Sequence, residues 1–191
     1  MKAKITMVAL LAALSTYGSS CMHEGILVPV NMTIGSCYAV PASPVVPVGF
    51  DETNTILLST LIDESFLEKL KGVRYYDIRV RGTGAYAGNV AAAIYINGQL
   101  LMNIGSGTGN TTPVPWSTFQ TPQTLLGSST VLRTNAAGVN ALAAALNQFV
   151  VNPNTSVTLR AAGVATGAAP VPANLQVCFD IFAQADVSLN D

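Results

Sequence analysis

The sequence has few of the residues on which many enzymes and nucleic-acid-binding proteins depend. It contains one histidine, His23, and charged residues make up 10% of its 191 positions, against about 25% in an ordinary soluble domain. Catalytic triads and zinc sites draw on histidine, and nucleic-acid binding needs clustered lysine or arginine. His23 lies two residues after Cys21, close to the N-terminus of the chain, and no residue near it in the sequence is an evident partner to orient its ring. The shortage argues against histidine-based catalysis, a zinc site and a nucleic-acid surface.

The sequence also lacks any apolar run of the roughly 20 residues that a membrane-spanning helix needs. The apolar run Ile5–Leu14 (ITMVALLAAL) follows Lys2 and Lys4 and precedes Gly18-Ser19-Ser20. A basic start, a short apolar stretch and small residues are the parts of a secretory signal peptide. We predict that residues 1–20 are an export signal and that the mature protein is extracytoplasmic.

Cys21 follows this segment directly, and the arrangement resembles the lipobox of bacterial lipoproteins. The resemblance covers the first 21 residues and departs from the family's pattern at Gly18, where a leucine is usual. It implies that Cys21 becomes the first mature residue, carries a lipid and anchors the protein to a membrane of the cell envelope. The alternative is ordinary signal-peptidase cleavage and secretion, because Gly18 and Ser20 also fit the small-x-small rule.

The cysteine count bears on the same question. Cys21, Cys37 and Cys178 are the three cysteines, and an odd number in an exported protein leaves one thiol over. If Cys21 is lipidated, Cys37 and Cys178 remain as a disulfide pair in an oxidising compartment. The alternatives are two buried thiols or a Cys21–Cys37 bridge.

Short strands separated by turns dominate the mature sequence. Val90–Ile96 and Gln99–Ile104 flank Asn97-Gly98, the pair that a type I′ hairpin favours because both turn positions need positive φ. Leu175–Ala185 alternates as a strand does. About eight such strands predict a mainly β fold, a two-sheet antiparallel β-sandwich with two short helices. An up-and-down barrel is the alternative.

The two helices and one further strand have their own signals. Asp63–Lys71 places acids before lysines, which complements a helix dipole, and Gly138–Phe149 has an apolar stripe of helical period. Val73–Arg81 alternates, so we expect Val73, Tyr75 and Asp77 on one side of the strand and Ile78 and Val80 on the other.

The organisation along the chain predicts three segments. Residues 1–20 are the signal, residues 21–50 a lead-in or strap, and residues 51–191 the β-sandwich domain. The lead-in has prolines at every third position, Pro41, Pro44 and Pro47, a spacing that favours an extended polyproline-like run.

Carboxylates are the remaining candidates for catalysis or metal binding. Asp51-Glu52 and Asp63-Glu64 are adjacent in sequence, so each pair points its side chains in different directions. Asp77 and Asp180 lie in predicted strands, and glycoside hydrolysis uses two facing carboxyls, yet no sequence feature brings these two together. We therefore predict no catalytic, cofactor-binding or metal-binding residues, and a protein that is not an enzyme.

The function that this sequence favours is a membrane-anchored structural or assembly protein of the cell surface, which associates with itself or a protein partner through a sheet edge or face. The alternative is an extracellular module that binds a glycan on stacked aromatic rings. Exposed aromatics would favour the glycan module, and buried ones the structural protein; the rings in question are Tyr75, Tyr76, Tyr86, Tyr95 and Trp116.

Overall fold

The computed structural model of the chain describes residues 26–127 and 129–189. The predicted export signal, Cys21 and His23 lie outside the described residues. Within the described residues the fold is mainly β, with strands in two antiparallel sheets. The predicted fold class, a two-sheet antiparallel β-sandwich, is confirmed.

The strands are numbered here in chain order. They are β1 (Leu27–Ala39), β2 (Val48–Leu57), β3 (Leu70–Thr83), β4 (Asn89–Ile96), β5 (Gln99–Ile104), β6 (Val114–Pro115), β7 (Gln123–Thr124), β8 (Leu132–Thr134), β9 (Ser156–Thr166) and β10 (Gln176–Ser188). The first sheet has the order β1-β10-β3-β7, and the second has the order β2-β9-β4-β5-β8 with β6 also paired to β4. The structure has ten described strands where the sequence predicted about eight. Three of the ten are only two or three residues long: β6, β7 and β8.

Strands from the two halves of the chain pair with one another in both sheets. The first strand pairs with the last, and β2 pairs with β9. This nesting of the halves is the arrangement of a jelly roll. Residues 40–47 carry the chain from the first sheet to the second, and Ser43 exchanges two backbone hydrogen bonds with Val171 (3.1 and 2.7 Å). The proline-rich segment is therefore a strap across one end of the sandwich.

The core lies between the sheets and is built from alternate residues of each strand. In β10, the inward residues Val177, Phe179, Ile181, Ala183 and Ala185 are all buried. The alternation predicted for this strand is confirmed. Burial of one face explains why this register is well defined, since a slip of one residue would expose the whole apolar set.

Three α-helices lie among the described residues: α1 (Glu64–Leu67), α2 (Ser117–Gln120) and α3 (Ala136–Val151). The predicted helix over 138–149 is confirmed and is longer than expected, at 16 residues. It packs against β3 of the first sheet and β5 of the second, where Leu142, Leu146 and Phe149 are buried. Its N-terminus is capped by the Asn135 side chain, which accepts from the Ala137 N–H, a common cap interaction.

The hairpin between β4 and β5 turns at the predicted pair. Asn97 has φ +48° and Gly98 has φ +80°, so both residues lie in the left-handed region that a type I′ turn requires. That prediction is confirmed. The Asn97 side chain also accepts from the Thr158 N–H at 2.9 Å, which ties the turn to β9.

The predicted boundary at residue 51 is too late. Residues 27–39 form β1, which pairs along its whole length with β10, and β2 begins at Val48. The lead-in of the sequence analysis, described here from residue 26, therefore contributes a strand to the sandwich. Pro29 is tolerated in it because β1 is an edge strand, where an amide hydrogen on the open side is not needed.

The helix predicted for Asp63–Lys71 is largely wrong. Only Glu64–Leu67 is helical, with Asp63 as its N-cap; Leu70 and Lys71 already belong to β3. The acid-to-lysine order complements a helix dipole by about 0.3–1 kcal/mol per charge. Pairing of Leu70 with Val187 of β10 buries Leu70 and outweighs it.

The predicted side assignment of β3 holds for only part of the strand. Val73 and Tyr75 face the core, but so do Ile78 and Val80, which were expected on the opposite side. The pairing with β10 shifts register between Phe182 and Ala183, which leaves Tyr76 as the extra residue of a β-bulge. A bulge inserts one residue and so reverses the alternation beyond it.

Candidate functional site: the uncovered edge of the second sheet

The carboxylates considered for catalysis are held by separate structural contacts. Asp51 and Glu52 are successive residues of β2 and therefore point to opposite faces of the sheet. The Asp51 carboxylate accepts from the Arg160 guanidinium (2.6 Å to Nε), and that hydrogen bond lowers the pKa of Asp51. The Glu52 carboxylate accepts from the Ala39 N–H (3.0 Å).

The remaining acids are engaged in the same way. Asp63 accepts from the Ser65 N–H and hydroxyl, and these bonds lower the pKa of Asp63. Asp77 accepts from the Ile78 N–H, and Asp180 lies 3.9 Å from Arg81. Asp77 and Asp180 share the outer face of the first sheet as diagonal neighbours, since Asp77 pairs with Phe182. Among residues 26–127 and 129–189, no three His, Cys, Asp or Glu side chains group as metal ligands.

The aromatic residues are spread over the sandwich. Trp116 is fully buried, and its indole N–H donates to the Gly84 carbonyl (2.8 Å). The Tyr86 hydroxyl donates to carbonyls of the 166–168 segment, and burial raises its pKa. Tyr75 is half-buried, and Tyr95 lies under Arg160, whose guanidinium carbon is 5.1 Å from the ring centre. Of this set only Tyr76, on the bulge of β3, is as much as 47% exposed.

A shallow depression lies between β3 and α3. It has a volume of about 220 Å³ and is lined by Val73, Arg74, Tyr75, Ala143, Leu146 and Asn147. Its one charged group, the Arg74 guanidinium, is 3.2 Å from the Asp186 carboxylate. The lining is otherwise largely apolar and brings no nucleophile and base together.

Cys37 and Cys178 are joined by a disulfide in the structure. The two residues are paired partners on β1 and β10, with an S–S distance of 2.04 Å and a sequence separation of 141. The bond fastens the edge strand of the first sheet to its neighbour. A covalent link across so long a loop restricts the unfolded chain strongly.

The most distinctive feature of the surface is a long sheet edge. The strand at one end of the second sheet is β2, with ten residues; no described strand pairs with its outer side. Five successive residues, 51–55, are exposed. An unpaired edge presents a row of backbone N–H and C=O groups to which another chain can add a strand.

The direction of each backbone group on β2 follows from one hydrogen bond at its end. The Leu58 N–H donates to the Thr155 carbonyl (3.0 Å), just before β9 begins. Residues of an antiparallel strand point alternately to the two sides, so even-numbered residues of β2 bond to β9. The odd-numbered residues therefore point away from the sheet: Gly49, Asp51, Thr53, Thr55 and Leu57.

The edge strand of the first sheet, β1, lies beside β2 but offers a less regular row. The Val40 N–H donates to the Leu175 carbonyl (2.9 Å), so the odd-numbered residues of β1 point outward. Among these, Pro29 has no N–H, and the Ala39 N–H already donates to Glu52. The two edges are linked by a second bond, from the Asn54 amide to the Ser36 hydroxyl (2.8 Å).

Sequence reasoning did not locate this edge. A partial signal was present, because Val48, Phe50 and Ile56 all lie at even-numbered positions and are the half-buried or buried positions of β2. Which side of a strand is uncovered depends on sheet order, and sheet order depends on pairings between residues about a hundred positions apart.

Comparison with known proteins gives no information on the function of this chain. No model of a known protein family matches the chain, and no protein with a curated description matches it. A solved chain from Desmodium yellow mottle tymovirus is similar over 100% of this chain and 98% of its own, at 9% identity and a TM-score of 0.32. So weak a likeness carries no argument. No helix within the described ranges is long and apolar enough to cross a membrane.

Proposed function

We propose that this protein is an exported, non-enzymatic structural or assembly component of the cell envelope. In this proposal it is anchored by a lipid on Cys21 and binds another polypeptide through the open edge of β2. The observation that carries the proposal is the run of outward backbone groups on β2, which no described strand covers. Strand addition at such an edge gains main-chain hydrogen bonds along the whole added segment.

The chemistry of the rest of the surface supports a binding role over a catalytic one. The acids at 51, 52, 63, 77 and 180 each accept from, or pair with, a group of the same chain. The pKa of Asp51 and that of Asp63 are lowered, whereas a general acid needs a raised one. The Cys37–Cys178 disulfide supports an oxidising compartment.

The edge is tested by photo-crosslinking in the producing cells. A photoreactive amino acid replaces Thr53 on the β2 edge in one strain and Thr134 of β8 in another. Both are exposed threonines, and they lie at opposite ends of the second sheet. We expect protein adducts from position 53 and few or none from position 134. Equal adduct formation at both positions, or none at either, contradicts the proposal.

The anchor is tested by fractionation. The wild-type protein is expected in the membrane fraction, and Cys21→Ser is expected to release it, because a lipid-bearing cysteine is what attaches the chain. A wholly soluble wild type that begins with an unmodified Cys21 contradicts lipid anchoring and leaves export intact.

A second candidate function, glycan binding, has one supporting observation. On the outer face of the first sheet, the half-exposed Tyr76 ring lies 6.2 Å from the Phe182 ring, and Arg79 stacks on Phe182 at 4.4 Å. Aromatic faces beside polar groups bind sugars, and two rings make a small platform. If Tyr76→Ala is no longer retained by a glycan and the control Thr53→Ala is still retained, glycan binding is favoured.

A further inference from the structure

We infer that the polypeptide added at the β2 edge is the β2 strand of a second copy of this chain, antiparallel to the first about a two-fold axis at Thr53. This inference rests on the proposed function in one respect, since it names the partner for the same edge. It is carried by the order of side chains along β2, which is self-complementary in one register.

The register follows from which backbone groups are available. A two-fold axis at Thr53 pairs Thr53 with Thr53 of the partner subunit, Asp51 with the partner's Thr55, and Gly49 with the partner's Leu57. All five outward-pointing residues of β2 are then matched, because hydrogen-bonded pairs of an antiparallel ladder join outward residues to outward residues. The Leu57 carbonyl already accepts from the Thr60 hydroxyl (2.7 Å) and has a second lone pair for the partner.

Neighbouring registers are less favourable. An axis at Asp51 or at Glu52 sets that carboxylate directly against its own copy, and like charges directly opposite destabilise a strand pair. An axis at Asn54 matches Asp51 with the partner's Leu57 and leaves Gly49 without a strand residue opposite it. The axis at Thr53 avoids both faults and sets threonine against threonine, a favourable cross-strand pair.

In this register neither acid of the strand lies directly opposite its own copy, so the like-charge contact of the neighbouring registers is avoided. Asp51 is paired with Arg160 on its own sheet, and Glu52 accepts from the Ala39 N–H. In the proposed register Asp51 faces a threonine and Glu52 faces the partner's Asn54, and both partners carry hydrogen-bond donors. Charged residues on an edge are a usual defence against pairing; here Asp51 is ion-paired with Arg160 and Glu52 faces an amide.

The adjacent β1 edge is the weaker alternative. Its outward row is interrupted at Pro29, which lacks an N–H, and at Ala39, whose N–H donates to Glu52. The ten-residue β2 has no proline. Pairing through β2 joins the second sheets of two copies into one continuous sheet, a closed two-fold arrangement that uses the same surface on both copies.

Disulfide trapping tests the register with two matched variants. Thr53→Cys and Thr55→Cys are each made in the full chain with Cys21→Ser, so that the introduced thiol is the one left beside the Cys37–Cys178 bond. Hydrogen-bonded partners in an antiparallel ladder lie about 5.5 Å apart at Cα, within the range of a disulfide. Thr55 and its own copy are offset by four residues, which is about 14 Å along the strand.

We expect Thr53→Cys to form a covalent dimer at least about tenfold faster than Thr55→Cys in a glutathione redox buffer, because only the first pair lies within disulfide range. Equal rates, a faster Thr55→Cys, or two variants that both stay monomeric overturn the inference. The outcome separates from that of the proposed function. If photo-crosslinking at Thr53 captures a different protein while trapping fails, the edge binds a partner and the partner is not a second copy.

Discussion

On one lateral side of the sandwich the two sheets end in β1 and β2, which are 13 and 10 residues long. On the other side they end in β7 and β8, which have two and three residues. The short side is covered by α3, which packs on β3 and β5. The long side has only the short 3₁₀ helix Leu58–Leu61 against β1 and β2 among the described residues, and no described strand covers either of its edges.

The two sides are also held by different interactions. The covered side relies on apolar burial, with Leu142, Leu146 and Phe149 of α3 inside the core. The open side relies on separate links: the Cys37–Cys178 disulfide, the Glu52 and Asn54 hydrogen bonds to β1, and the Asp51–Arg160 ion pair. The covered side should therefore respond to changes of volume, and the open side to reduction and to acid.

The largest expected effect is on the open side. Replacement of both Cys37 and Cys178 by alanine should lower the free energy of unfolding by up to about 5 kcal/mol, from the loop-closure entropy of a loop of this length. Amide exchange should then rise first in β1, which loses its covalent link to β10, and little around α3. Equal loosening of both sides contradicts the comparison.

A pair of glycines gives the next effect and separates the two sides directly. An added Cβ at Gly138 of α3 would overlap the Leu100 carbonyl oxygen, whereas at Gly49 of β2 it would meet only the Gly163 carbonyl at 3.8 Å. We expect Gly138→Ala to lower the free energy of unfolding by about 2 kcal/mol through overpacking. Gly49→Ala should be neutral or slightly stabilising, since it restricts the unfolded chain. Denaturant titration measures both, and similar values for the two would contradict a tightly packed covered side.

Gly98, in the turn between β4 and β5, separates the effect of backbone strain from the effect of packing. It has φ +80° and no atom within 4 Å of an added Cβ, so a substitution there meets no steric neighbour. Gly98→Val should still cost about 1 kcal/mol or more, because a β-branched residue is strained at positive φ. Gly98→Asn, which tolerates that region better, should cost less. Equal stability of the wild type and the valine variant would show that strain plays no part.

The smallest effect is the acid response of the open side. The pKa of Asp51 is lowered by the hydrogen bond from Arg160, so its folded-state value lies below the unfolded one. Its contribution to stability is therefore complete above the unfolded pKa and is lost as the pH falls through the folded pKa. Asp51→Asn should lose less stability than the wild type between about pH 6 and pH 2.5, as read from urea midpoints. A larger loss in the variant contradicts this role of the ion pair.

Local features of the fold could be read from the sequence, and features set by distant pairing could not. Asn97-Gly98 defined its hairpin because the turn needs two residues of positive φ. The alternation of β10 defined its buried face. The side assignment of β3 failed because a single bulged residue, Tyr76, reverses the alternation.

The N-terminal boundary and the candidate site failed for a related reason. Pro29 and the later prolines favoured a lead-in, whereas β1 is fixed by pairing with residues about 140 to 160 positions away. The open edge of β2 depends on the order of both sheets. Association through a sheet edge could be expected from composition, but the strand that provides the edge could not.

The central claim is that two copies of the chain pair through β2, and sedimentation equilibrium of Thr53→Pro tests it most directly. Thr53 points its N–H away from β9, so proline there removes a donor from the edge without breaking the ladder within the sheet. Asn54→Pro is the control. The Asn54 N–H bonds to β9, so the loss of this hydrogen bond should unfold the second sheet. We expect a dimeric wild type and a folded, monomeric Thr53→Pro. A wild type that stays monomeric throughout, or a Thr53→Pro that dimerises as the wild type does, would contradict the account.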